Sequence, residues 1–459
     1  MKAGSEPREM PEGVAHLNGP ILSYADVVQT VAPAVVTIRA SHRVRAPQQF
    51  PFFNSPFFQQ FFGGGVPNNQ NKMEEELALG SGVIVRPDGH ILTNYHVIDG
   101  AQEIKVDLTN QHTYSAKVVG SDEPSDLAVL KISASGLPVL QLGDSDKVRV
   151  GDVCLAVGNP LGVGQSVTQG IISAKGRTTD ILGSGSFEDF LQTDAAINKG
   201  NSGGALVNTR GELIGINSQI LSSNGGFIGI GFAIPSNMAK NVMDQLIQKG
   251  KVQRGMLGVT IQPVTSDLAA GLGLKQVGGV LVSSVVPGGP AAQAGIKQGD
   301  VILQLNGTDV NDTNELRNDV AADSPGTEVT LTISRNGKQE QVKVRLGALT
   351  PEAAQQTQSS GPSGKSNQLG VTVEPLTSDL AAQLGLSRTT QGVAIDSVDP
   401  NGPAAQAGLQ AGDVIQQANQ RPVHSAAELQ SALQSTGNRP ALLLVNRGGQ
   451  KLYVAVPLK

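Results

Sequence analysis

The sequence predicts a mostly β protein: one strand-rich domain followed by two copies of a smaller module. Two observations carry this. From about residue 30 to about 235 the chain is a series of short Val/Ile/Leu runs punctuated by glycine ("AVVTIRA", "GVIVRPDGHILTN", "LAVLKI", "VCLAVG", "LIGINSQI") with hardly any helical period. Short strands with frequent turns point to an all-β barrel or sandwich. Beyond it, "LGVTIQPVTSDLAAGLGL" from Leu257 matches "LGVTVEPLTSDLAAQLGL" from Leu369 at 14 of 18 positions. "PGGPAAQAGIKQGDVILQLNG" from Pro287 likewise returns as "PNGPAAQAGLQAGDVIQQANQ" from Pro400. Each copy is about 90 residues, too long for a solenoid unit and long enough for a small domain.

Taken in order, residues 1–24 are polar and proline-bearing and read as a flexible segment. The β domain spans 25–252. Within it "RPDGH" is a hairpin turn, with Pro87 and Gly89 in turn positions. "FPFFNSPFFQQFFGGG" holds Phe50, Phe52, Phe53, Phe57, Phe58, Phe61 and Phe62, seven of the 11 phenylalanines in the chain. Pro51 and Pro56 argue there against a regular helix or a central strand. One clear helix closes the domain, "PSNMAKNVMDQLIQKG": Ser236 is the expected N-cap, Met238, Val242, Met243, Leu246 and Ile247 form the apolar stripe, and Gly250 is the stop. The modules follow at 253–349 and 367–459. The intervening 350–366, rich in Gln, Ser and Gly, reads as a flexible linker.

Composition narrows the function classes. A net charge of −5 and a pI near 5.7 argue against a nucleic-acid binder, which would present a basic face. One cysteine, Cys154, allows no internal disulfide, and in "VCLAV" it reads as a small buried strand residue. Six scattered histidines offer no metal cluster, so no metal and no cofactor is expected. No apolar run approaches the length of a membrane span. The first twenty residues lack the apolar core of a secretory signal, which leaves two readings: a cytoplasmic protein, or a mature chain whose signal has been removed.

The chemistry concentrates in "NKGNSGGALV". Short Gly/Ser/Asn strings are common loop material, but a serine flanked by glycines also suits a nucleophile that a substrate backbone must approach closely. If Ser202 is that nucleophile, it needs a base and an orienting carboxylate. His42, His90 and His112 lie in polar stretches or at a turn, where solvent exposure is the simpler reading. His96, in "ILTNYHVIDGA", follows an apolar strand that could fix its ring. Among Asp99, Asp107, Asp122 and Asp126, the last opens "SDLAVLKI", at the mouth of a strand. The order His96, Asp126, Ser202 is that of the chymotrypsin-type double β-barrel, not that of subtilisin or the α/β-hydrolases. In that frame Gly200, Asn201 and Ser202 form the oxyanion segment, with the amides of Gly200 and Ser202 turned inward. Gly203 and Gly204 would leave room for the substrate backbone. The specificity pocket, six residues before the nucleophile, has Ala196 as floor and Ile197 beside it. That apolar floor favours small aliphatic side chains over Lys or Arg, and Asp194 should not substitute for it.

"TNYHVI", "SDLAVLKI" and "QTDAAINKGNSGGALVN" resemble the HtrA family of serine proteases, and the two repeats resemble its PDZ modules. Two PDZ copies and no cysteine framework make the chain most similar to the periplasmic DegP/DegQ branch, from about residue 25 to the end. The resemblance implies a periplasmic, ATP-independent endopeptidase of unfolded or misfolded proteins, built from trimers and also active as a chaperone. A non-proteolytic chaperone or scaffold is the competing class, and the intact Ser, His and Asp argue against it. By the same resemblance, Met256, Leu257, Gly258 and Val259 form the carboxylate-capturing loop of the first PDZ copy, whose neighbouring strand edge takes an extended peptide. Gln368 stands where Met256 does in the first copy, which favours an assembly role for the second. "GRTTDILGSGSFEDF" is similar to the family's sensor loop, with Arg177 at the sensing position. The phenylalanine-rich loop would reach across the trimer.

Overall fold

The computed structural model describes the chain apart from residues 1–22, 44–74, 160–163, 180–185, 199, 221–226, 275–276, 350–364, 367–368, 435–438 and 458–459. The phenylalanine-rich loop, Gln368 and nearly all of the linker therefore lie outside the described residues. The chain divides into two compact units, Met1–Val252 and Gln253–Lys459.

The first unit opens with helix α1 (Ala25–Val31) and contains two closed six-stranded barrels. The first is built from β1 (Val35–Arg43), β2 (Glu75–Arg86), β3 (His90–Thr93), β4 (Glu103–Asp107), β5 (Thr113–Asp122) and β6 (Leu127–Ile132). The second holds β7 (Val153–Gly158), β8 (Ser166–Arg177), β9 (Phe190–Thr193), β10 (Ala205–Asn208), β11 (Leu213–Ile220) and β12 (Gly231–Pro235). Both close in one order: the first three strands run in sequence, then the sixth, fifth and fourth return to the first. Closure decides between barrel and sandwich and leaves no strand edge bare in either barrel. Gly89 makes the predicted hairpin at φ +97, and a Cβ there would stand 2.6 Å from the Ile132 carbonyl oxygen.

Helix α3 (Ser236–Lys249) buries Ala239, Val242, Met243 and Leu246, while Met238 and Ile247 are only partly covered. (The short turn α2, Tyr95–Ile98, precedes it.) Its N-cap is Pro235, not Ser236. Ser236 is already helical, and its hydroxyl donates to the Gly143 carbonyl at 2.7 Å, so it anchors the helix to the barrel instead of capping it. Gly250 ends the helix at φ +69, with its N–H on the Leu246 carbonyl. Cys154 is fully buried with Sγ 3.1 Å from Thr193 Oγ1, and burial pushes its thiol up to about 11, so it is an inert core residue.

In the second unit the repeat is structural. The first copy has β13 (Gly255–Met256), β14 (Val259–Pro263), β15 (Val280–Val285), β16 (Val301–Leu305), β17 (Thr308–Asp309), β18 (Glu328–Arg335), β19 (Lys338–Arg345) and β20 (Gly347–Ala348), with helices α4 (Ser266–Leu272), α5 (Pro290–Gln293) and α6 (Thr313–Ala322). The second has β21 (Lys365–Ser366), β22 (Val371–Pro375), β23 (Val393–Val398), β24 (Val414–Ala418), β25 (Arg421–Pro422), β26 (Ala441–Arg447) and β27 (Gln450–Val456), with α7 (Ser378–Gln383), α8 (Pro403–Gln406) and α9 (Ala426–Gln434). Asp300 and Asp413, both buried in the repeated "GDVI" strings, receive the forked guanidinium of Arg335 and Arg447 at 2.6–2.7 Å. The copies also touch each other. Val264, Leu268 and Leu281 share an apolar cluster with Leu442, Leu444 and Tyr453, and the Gln262 amide pairs with both backbone groups of Tyr453.

Candidate active site

The first barrel supplies a histidine and a carboxylate. The chain leaves β3 at Thr93 and turns through α2, where His96 is 8 % exposed. Asp126 caps the 3-10 turn Glu123–Ser125 just before β6, at φ +53, a left-handed conformation that aspartate tolerates better than most residues. The Asp122 carboxylate braces that turn through the Ser125 N–H and hydroxyl. Asp126 is 2 % exposed, and its two oxygens stand 2.9 and 2.8 Å from His96 Nδ1; the His96 backbone N–H donates to it at 3.0 Å. A carboxylate only accepts, so the facing Nδ1 carries the proton and Nε2 is left as the basic nitrogen. His90 pairs with Asp88 at its hairpin instead, and His112 lies edge-on to Tyr114.

The second barrel supplies the serine. Ser202 is 2 % exposed in the loop before β10. Barrel one grips that loop: Ser81 N–H donates to the Ser202 carbonyl at 2.8 Å, and Ser81 Oγ to the Gly200 carbonyl at 2.6 Å. Packing requires both glycines after Ser202, Gly203 at this grip and Gly204 against β7 of the second barrel. Gly203 sits at φ +81, and a Cβ on it would fall 2.2 Å from Ser81 O and 2.4 Å from Thr93 Oγ1; one on Gly204 would fall 2.4 Å from Val157 O. Gly203→Ala is therefore expected to destabilise the protease unit by about 2–5 kcal/mol, from backbone strain plus overpacking. A urea midpoint for that unit within error of the parent would contradict this.

Ser218 is the functional residue that sequence reasoning missed. It lies on β11 where the register to β12 slips between Asn217 and Gln219, so it bulges out of the ladder. Its carbonyl accepts the Ser202 hydroxyl at 3.0 Å, and its own hydroxyl donates to Asp126 Oδ2 at 3.0 Å. One bulged residue thus ties the serine of one barrel to the carboxylate of the other. Three adjacent polar residues, "NSQ", inside a fully buried strand were the available signal.

Gly200 adopts φ +95, and neither its N–H nor that of Ser202 has an acceptor among the described residues. Asn201 does not join them: its N–H is spent on the Asn198 carbonyl at 3.0 Å, which corrects its inclusion among the oxyanion donors. Ala196 is half-buried and Ile197 fully buried, beside Gly231 on β12. Asp194 is turned away, with Oδ1 on the Ile171 N–H at 2.7 Å. Arg177 ends β8, exposed, with Nε on Gln192 Oε1 at 3.1 Å. In the second unit, Met256 ends β13 and Val259 opens β14. Between them the carbonyls of Leu257 and Gly258 accept from Ala291 and Val286, while among the described residues the N–H groups of Leu257 and Gly258 have no backbone acceptor.

Two closed barrels, one bearing a histidine–aspartate pair and the other a serine at their junction, define a trypsin-like serine peptidase. Residues 80–216 match the trypsin-like peptidase domain family, and 255–346 and 395–447 match PDZ domain families. The chain is 44% identical over 408 residues to the probable periplasmic serine endoprotease DegP-like of Chlamydia trachomatis serovar D, covering 89% of this chain and 80% of that protein. It is 42% identical over 439 residues to the periplasmic pH-dependent serine endoprotease DegQ of Escherichia coli K12, covering 95% and 91%. Among solved structures, the HtrA-type protease AlgW with a decapeptide superimposes with a TM-score of 0.56 at 45% identity, covering 72% of this chain and all (100%) of that one. The chain belongs to the DegP/DegQ family of periplasmic, HtrA-type serine endoproteases.

Proposed function

We propose that His96, Asp126 and Ser202 are the catalytic triad of an endopeptidase that cuts unfolded polypeptides after small aliphatic residues. The observation that carries this is the shared Asp126 carboxylate, which accepts from His96 Nδ1 and from the Ser218 hydroxyl that stands beside Ser202. In the resting state the Ser202 hydroxyl donates to the Ser218 carbonyl. Rotation about its Cα–Cβ bond would present it to His96 Nε2, which takes the proton as the oxygen attacks and returns it to the leaving amine. The N–H groups of Gly200 and Ser202, without an acceptor among the described residues, would hold the developing oxyanion, at roughly 3–4 kcal/mol per donor in comparable enzymes. Ala196 at the pocket floor, with Asp194 engaged elsewhere, supports an apolar pocket. Products of a cleaved unfolded protein, mapped by mass spectrometry, should end mainly in Val, Ala or Ile, and a majority of Lys or Arg would refute the pocket assignment. The family resemblance supports assembly from trimers and chaperone activity beside proteolysis, with Arg177 as the exposed entry point for an activating contact.

The two PDZ copies have different roles in this reading. In the first, β14 pairs with β15 on one side, and no described strand covers its other edge, which α6 flanks. Such an edge accepts an extended peptide as an added strand, with its terminal carboxylate on the Leu257 and Gly258 amides. In the second, the equivalent edge of β22 is taken by the chain itself: Lys365 and Ser366 pair with Thr372 and Val371. The full-length protein should therefore bind one labelled peptide with a free apolar carboxyl end per chain. Replacing Lys365 and Ser366 with proline, which cannot donate to the ladder, should raise the stoichiometry to two. Two peptides bound by the parent protein would contradict the division of roles.

A further inference from the structure

Glu188 is 2 % exposed, a carboxylate that none of the chemistry above uses. Its Oε2 accepts from the backbone N–H of Thr179 and, at 3.2 Å, from the Thr179 hydroxyl. With its proton directed at Glu188, that hydroxyl accepts the Gln219 side-chain amide at 2.8 Å. Gln219 is the residue bonded to Ser218, on the bulge that holds the Ser202 hydroxyl and donates to Asp126. The neighbour of Glu188, Phe187, bonds the turn that precedes Asp126. Its N–H donates to the Pro124 carbonyl at 2.6 Å, inside the turn that sets Asp126. Thr179 and Glu188, with Phe187, therefore bear on both supports of the site, the bulge behind Ser202 and the turn before Asp126.

We infer that Glu188 and Thr179 are positioning residues for the proteolytic reaction, acting through Gln219 to hold the Ser218 bulge in register with Asp126 and Ser202. The inference rests on the triad assignment proposed above. The physical basis is the part-buried chain carboxylate–hydroxyl–amide, in which each bond is charge-assisted or polarised by the next. A bulged residue lies outside the sheet ladder, so side-chain bonds beside it fix where it points. Displacing Ser218 by even an ångström would move the acceptor that orients Ser202 and the donor on Asp126 together. Misplacement on that scale can cost about 100-fold in rate. Because neither Glu188 nor Thr179 contacts the peptide in this reading, the loss belongs in kcat and not in KM.

The test is steady-state cleavage of an unfolded protein and of a small peptide by full-length variants, together with the rate of labelling by a serine-directed phosphonate. Thr179→Val preserves shape but breaks the relay, and should lower kcat and the labelling rate at least tenfold with KM within twofold of the parent. Thr179→Ser restores the hydroxyl and should lie within twofold of the parent. Glu188→Gln, which keeps volume and one acceptor, should fall between the parent and Thr179→Val. Equal kcat for Thr179→Val and Thr179→Ser, or a loss carried wholly by KM, overturns the inference, as does a Glu188→Gln variant with the parent's kcat. Ser202→Ala is assayed in parallel: if it still labels, the triad assignment itself fails, whereas a silent Ser202→Ala beside an unaffected Thr179→Val rejects only the positioning role.

Discussion

Ser202→Ala is expected to lower kcat on casein by about 10⁴–10⁶-fold, the loss usual when one member of such a triad is removed. The substitution deletes one buried oxygen, the one that donates to the Ser218 carbonyl, and leaves the loop's backbone grip by Ser81 intact. Folding, assembly and client binding should therefore persist. The variant should be refractory to phosphonate labelling while still retaining unfolded casein on size-exclusion chromatography. Undiminished cleavage by the variant would sink the nucleophile assignment. Lost cleavage together with lost binding would show that the loop had collapsed.

Asp126→Asn should cost about 10⁴ in kcat at neutral pH, the size of the same change in enzymes of this barrel class. The reason is tautomeric. Asp126 accepts from His96 Nδ1 and from the Ser218 hydroxyl, and in this position a carboxylate can do nothing else. An asparagine amide turned toward Nδ1 would donate, placing the ring proton on Nε2, where a proton acceptor is required. Asp126 is almost wholly buried behind His96, so KM should change little. A variant keeping more than a hundredth of the parent kcat would remove Asp126 from the orienting role and return attention to Asp122, the other buried carboxylate nearby.

The parts of the site that were legible in the sequence are those written in short strings. "TNYHVI" places a histidine at a strand end, "SDLAVLKI" places an aspartate at a strand start, and "GNSGG" marks a serine in a loop of unusual backbone. The parts that were not legible depend on atoms brought together from far apart. Ser218 reaches Asp126 across 92 residues of chain. Its serine has no distinguishing neighbours beyond "NSQ", and the bulge that aims it arises from how β11 meets β12. The packing need for Gly203 is of the same kind, because only the packed barrels bring Ser81 and Thr93 within 2.4 Å of a Cβ there. Asn201 was grouped with its neighbours because adjacency in sequence says nothing of which N–H a turn consumes.

By itself, then, the sequence determined the strand-rich first domain, the two repeated modules, and the candidate residues His96, Asp126 and Ser202. Periodicity, turn chemistry and self-similarity are local properties and are carried by consecutive residues. Tertiary structure alone decided that the strands close into two barrels of one topology, that Ser218 joins them at the site, and that the Asn201 N–H is taken up by the Asn198 carbonyl. It also decided that the second PDZ edge is covered by Lys365 and Ser366, and that the two copies share an apolar cluster. The physical reason is common to these cases. A hydrogen bond or an apolar contact is a property of two surfaces, and each segment of the chain specifies only one of them.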